Sequence, residues 1–371
     1  MKQLTGDERF VVVIEDDFEI AGNGSGNVAA LQYLPADGLM RIAETLDIPV
    51  TFMVDVAQQL AFRRAAGDNP AVAAEAAIWD ESVRLMARRG FDIQLHLHPQ
   101  WAAAKYEDGR FHVGGEWNLG RLADADQHAL VHEALDYLHR LLASQVAPIV
   151  AFKAGAWGLQ PWDSLHNVLR DAGVRIVIGV RDGLRIRSLG VDYRHIESPV
   201  LPYWVSRTDV TKVGPDPADM IVVPLQPVAS TWPDIAWLGL DRAMSWVRTP
   251  PALPLRRAPT GLPKAHADDR LRLRPHPYLT HLKIGNQPAR YLIRTFERTI
   301  GGLRATSARG VVPIVIESHT KQMGGHLPAV ASFLKHLTAR YSGEVGFTNV
   351  TGLARLLEDG ALAVLPVRES A

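Results

Sequence analysis

Short apolar runs rich in β-branched residues recur along this chain, separated by stretches whose apolar residues repeat at helical spacing. FVVVI (10–14), PVTFMV (49–54), the run from Asp92 to His98, IVAFK (149–153), RIVIGV (175–180), MIVVP (220–224), VVPIVIE (311–317) and 345–349 read as strands. Segments 37–46, 72–89, 128–142, 162–172, 290–301, 327–339 and 353–358 read as helices, with Gly90 and Gly173 placed as helix stops. Continuous apolar strands imply burial on both faces, and their alternation with helices predicts a parallel sheet with crossover helices. About seven such units suit a closed or nearly closed, irregular α/β barrel. No glycine-rich nucleotide-binding fingerprint argues for an open dinucleotide-binding sheet. The Pro- and Arg-rich stretch 249–277 breaks the alternation and excludes regular helix or central strand. It reads as a surface insertion in a single domain spanning 1–371, either a solvated loop or a lid or partner-binding arm.

Composition narrows the chemistry. The 371 residues are 47% apolar, enough for a large core. Forty basic residues balance forty acidic ones, so nothing points to nucleic acid or an anionic membrane. There is no cysteine, which leaves only nitrogen and oxygen donors for any metal. A polar start running straight into a strand, with no long apolar span, predicts a cytoplasmic protein without a membrane span. Oligomeric state is not legible from these features.

In parallel barrels the reactive residues stand at the carboxyl ends of strands. Here those ends carry Glu15, Asp16 and Asp17; His96 and His98; Lys153; and Glu317 with His319. His96 and His98, two apart, share a strand face. One carboxylate and two imidazoles would hold a divalent ion with positions left for water and substrate. Asp16 and Asp17 then supply one ligand and one base, and His319 the acid. Glu19 reads as an extra ligand or a surface residue. Trp101, Trp117 and Trp157 either stack on sugar rings or anchor their loops. Arg181 and Asp182 either line the same rim or form a salt bridge in a turn. His112, His128, His132, His139 and His166 read as solvated or helix-surface histidines.

The order IEDDF, IPVTFMV, RRGFDIQLHLH, FKAGAWG and IESH resembles the motif series of the polysaccharide deacetylase (NodB-homology, carbohydrate esterase family four) superfamily across roughly residues 10 to 355. The nearer likeness is to a divergent branch carrying His-x-His-Pro. The resemblance implies a distorted (β/α)7 barrel and an enzyme that removes acetyl or similar acyl groups from N-acylated sugars. The implied cofactor is a divalent ion, zinc above all, with cobalt or nickel as alternatives. It implies Asp16 as general base, Asp17 and His96 as metal ligands, and His319 as general acid. Three positions depart from the family pattern. Gln100 stands where the second metal histidine would be, so His98 must serve instead. Lys153 replaces an arginine that grips the base, giving a point charge in place of a planar fork. Phe18 replaces a small glycine and is expected to crowd the site mouth. A carbohydrate-binding protein without catalysis on the same barrel is the alternative, and a His-x-His phosphoesterase ranks last for want of further ligands.

Overall fold

A computed structural model describes residues 8–143, 147–217, 219–234, 236, 238 and 278–366. The 249–277 insertion lies outside them. The main sheet is built from strands β1 (Phe10–Phe18), β2 (Thr51–Asp55), β3 (Asp92–Leu97), β4 (Ala151–Ala154), β5 (Ile176–Arg181), β6 (Ile221–Leu225), β7 (Val312–His319) and β8 (Val345–Thr348). Seven of them run parallel in the order β6-β5-β4-β3-β2-β1-β7, and β8 pairs with the first half of β1. The sheet curls into the distorted barrel expected from the alternation. Among the described residues no ladder joins β6 to β7. Gln226 spans that gap, accepting from the Val315 amide and donating to the Pro313 carbonyl. Segment 282–284 adds backbone bonds to Glu317 of β7 beside it.

Alternation along the strands divides the core in two. Val11, Val13, Ala151, Ile176, Ile178, Ile221, Val223, Leu225 and Val315 pack inside the barrel, closed below by Val350 and Leu353 of the last helix, Val350–Glu358. Val12, Ile14, Phe18, Phe52, Val54, Leu95 and Leu97 face outward onto the surrounding helices. The helices expected from sequence occur within a few residues of their expected bounds. One helix, Val56–Ala66, follows β2 with no loop between, and its strong run of Gln and Arg conceals it from apolar periodicity. No described helix is long and apolar enough to cross a membrane.

Candidate metal centre

The inward face of β1 carries Glu15 and Asp17 above Val11 and Val13, and Glu19 continues that side past the strand end. All three acids are buried, Glu19 at 2% exposure. On β3 the inward positions are Gln94 and His96, with His98 following. The two imidazoles stand 4.9 Å apart, nearly perpendicular. Donor atoms of Glu19, His96 and His98 all lie within 4.8 Å of one another. His98 Nε2 contacts Glu19 Oε2, and His96 Nε2 is 3.6 Å from the same oxygen.

Each ligand is oriented from behind. His96 Nδ1 donates to the Lys153 carbonyl at 2.9 Å, which leaves the lone pair on Nε2 facing Glu19. That Nε2 is buried with no hydrogen-bond partner. Buried polar atoms are rarely left so, and a buried donor turned onto a carboxylate and a second imidazole fits an ion. The His98 ring lies so close to Gly155 that a Cβ there would stand 2.4 Å from its Cγ. Lys321 binds Glu19 through the other oxygen, Oε1.

Beneath these donors lies a charge network. Lys153 Nζ is 2.8 Å from both Glu15 Oε1 and Asp17 Oδ1, and 3.4 Å from Glu317 Oε1. His319 Nε2 is 3.1 Å from Asp17 Oδ2 and 3.6 Å from Glu19 Oε1. His281 contacts Glu317, and Lys283 Nζ lies 3.8 Å from it. Burial pushes the Asp17 carboxyl up, but Lys153, His96 and His319 outweigh it and hold it below the usual range. Burial, joined by Lys283, depresses the His319 imidazole to about 3, so it is neutral at neutral pH. Burial drives Glu15 well above the ordinary carboxylate range, against the pull of Lys153.

Asp17, Glu317 and His319 form a second group with ligand spacing. It suits an ion less well. Lys153, only 2% exposed, is locked among its carboxylates, and a divalent ion would meet that ammonium. The cation paired with the first group is Lys321, 21% exposed and bound to one Glu19 oxygen only.

No family model matches the chain, and no curated protein matches it. Solved structures do. A presumed polysaccharide deacetylase from Mycobacterium smegmatis aligns over 100% of this chain and 97% of its own, at 13% identity and a TM-score of 0.53. The chain has the polysaccharide deacetylase fold. A presumed polysaccharide deacetylase from Pseudomonas aeruginosa PAO1 covers 95% and 92% of the two chains at 13% identity, TM-score 0.49. An allantoinase covers 95% and 91% at 13% identity, TM-score 0.49.

Within this deacetylase fold, several residues stand elsewhere than the sequence implied. Asp16 faces outward, away from Lys153 and the histidines. Its register partners are Phe52 and Ser318, and both its oxygens are buried without a hydrogen bond. Asp16 thus points away from the donor set, and it is Asp17 that stands beside Lys153 and His319. The carboxylate against His96 and His98 is Glu19, not Asp17, and Glu19 is no surface residue. The strand expected at 10–14 stops short of these acids, whereas β1 runs on to Phe18 and sets which of them point inward. Phe18 does not crowd the mouth either. It is fully buried on the outer face, 6.1 Å from Trp79.

Trp101 and Trp117 are buried anchors, not exposed stacking platforms. Trp101 packs edge-on to Phe62 and Phe111, and Trp117 lies under Gly22. Trp157 is half-buried, with its carbonyl accepting from the Tyr193 hydroxyl at 2.5 Å. His166 is fully buried against Trp162 and Asp219, not on a helix surface. Sequence reasoning also missed Asp55, which accepts from the His98 amide at 3.3 Å, and His281. Asp55 ends a strand and caps a helix, so its position in TFMVDV was the available signal.

Proposed function

We propose that this chain is a metal-dependent hydrolase that removes an acetyl or similar acyl group from an N-acylated sugar. Glu19, His96 and His98 would hold the ion, zinc for preference. The convergence of their buried donor atoms, all within 4.8 Å of one another, is the observation that supports the reading. A divalent ion bound there would polarise the acyl carbonyl and acidify a water. Asp17, kept ionised by Lys153, is placed to take a proton as general base. His319 Nε2 lies 3.1 Å from Asp17 Oδ2, so neutral His319 would accept the proton that Asp17 takes from the water and pass it to the leaving nitrogen, which leaves Asp17 ionised and His319 neutral again. Lys153 acts through Asp17 and Glu15, as a positioning residue. Asp16 belongs to the packing of the outer face. Trp157 is the remaining candidate for contact with the sugar.

The test is zinc titration of dialysed protein, followed by melting temperature, with acetate release from N-acetylated chito-oligosaccharides as the activity readout. Wild type is expected to bind one ion and release acetate, and His96→Ala to do neither. A wild-type protein that zinc and cobalt leave unstabilised, with no acetate released, removes the reading.

A further inference from the structure

Arg181 ends β5, and its strand partner across a bulge in the ladder is Leu225, which faces the barrel interior. Its guanidinium thus belongs to the inner side of the rim. It stands near enough to His281 to depress that imidazole electrostatically. His281 in turn contacts Glu317, whose Oε1 is 3.6 Å from His319 Nδ1. Arg181 is thus connected through His281 and Glu317 to His319.

Among the described residues no carboxylate pairs with Arg181, and its Nε is buried with no hydrogen-bond partner. The turn salt bridge with Asp182 is not formed. Asp182 is engaged instead by the Gly183 and Ile196 amides and by His195. Glu317, the acid nearest His281, is already committed to His281, Lys153 and Lys283. An arginine cannot shed its charge, so a buried guanidinium nitrogen without a partner is costly until an acceptor arrives.

We propose that Arg181 is an anion-recognition residue, and that the sugar acted on carries a carboxylate or phosphate that reaches it while the acyl group lies at Glu19, His96 and His98. This rests on the hydrolase reading for its geometry, although the anion site stands on Arg181 alone. A planar fork suits either oxyanion through paired hydrogen bonds.

The experiment compares three probes on the zinc-loaded full chain by calorimetric titration and acetate release: N-acetylglucosamine, N-acetylmuramic acid with its lactyl carboxylate, and N-acetylglucosamine 6-phosphate. At least one anionic sugar is expected to bind about ten-fold or more tightly than the neutral one. The better of the two identifies the oxyanion. In Arg181→Met that ratio falls toward one, and Arg181→Lys retains part of it; melting curves of both variants confirm folding. Equal binding of all three sugars, no binding of either anionic sugar, or an undiminished preference in Arg181→Met overturns the inference. Acetate released equally from all three would leave the hydrolase reading standing and remove this one. An Arg181-dependent preference without acetate release would do the reverse.

Discussion

The side-chain amide of Gln100 meets His98 Nδ1 at 2.9 Å. Gln100 thus supports a ligand from the position where the deacetylase pattern places one. Gln100 Nε2 also donates to the Gly22 carbonyl at 3.3 Å, and its Oε1 is buried with no partner; with the amide flipped, Oε1 would accept the His98 Nδ1 proton and free the ring's Nε2 for an ion. Gln100→Ala is expected to lower zinc affinity roughly ten- to a hundred-fold, the usual range for losing such a support. A competition titration with a coloured chelator measures it, and unchanged affinity would show that His98 needs no such partner.

Exchanging Glu19 and Asp17 separates ligand from base. Glu19→Gln should abolish tight zinc binding. Asp17→Asn should keep the ion and lower acetate release by about 10²–10⁴-fold, as loss of a general base does. Metal content and turnover measured on the same preparations distinguish the two. If Asp17→Asn loses the ion and Glu19→Gln retains it, the roles revert to those implied by the sequence.

Gly155 is fixed by contact, not by an unusual backbone angle. A methyl group there would overlap the His98 ring, which is hemmed in by Gln100 and Glu19. Gly155→Ala should cost about 1–3 kcal/mol in unfolding free energy, the range for overpacking, and weaken zinc binding as the ring moves. Denaturant unfolding with and without zinc checks both. A variant as stable and as tight as wild type would mean that the ring has room to retreat.

Burial raises the Asp16 carboxyl to about 7 from an ordinary 3.8, with Ser318 opposing the rise. The unfolded chain releases this proton near the ordinary value and the folded one only near the raised value. Between them the native state binds the extra proton, so the contribution of Asp16 to stability falls as pH rises and levels off above about 7. The gap corresponds to a destabilisation of roughly 4 kcal/mol at the upper limit. Asp16→Asn removes that slope. Its melting temperature should gain on wild type steadily between about pH 4 and 7. Parallel melting curves through that window would count against a buried, unpaired acid at this position.

The barrel was legible because its strands are apolar on both faces and its helices keep their spacing. The site was legible in outline, since strand ends in a parallel barrel must meet. His96, His98, Lys153 and His319 do converge with the acids of β1. What escaped was which acids. Adjacency suggests that Asp16 and Asp17 divide the labour because neighbours point differently, but on β1 the opposite side is the outer core, while Glu15, Asp17 and Glu19 share the inner one. The tryptophans were ambiguous because rim loops and loop anchors have the same composition, and only burial separates them. His281 and Lys283 follow directly on the insertion, where no periodicity announces a strand.

The spacing of acids on β1 makes the centre a matter of parity. Slipping that strand by one residue would present Asp16 and Phe18 to the interior and bury Glu15, Asp17 and Glu19 against the helices. What guards the odd positions is the even ones: Val12, Ile14 and Phe18 fill the outer core, and their hydrophobic grip dictates which acids face the barrel interior. Chemistry at this rim is thus set by residues that never touch it.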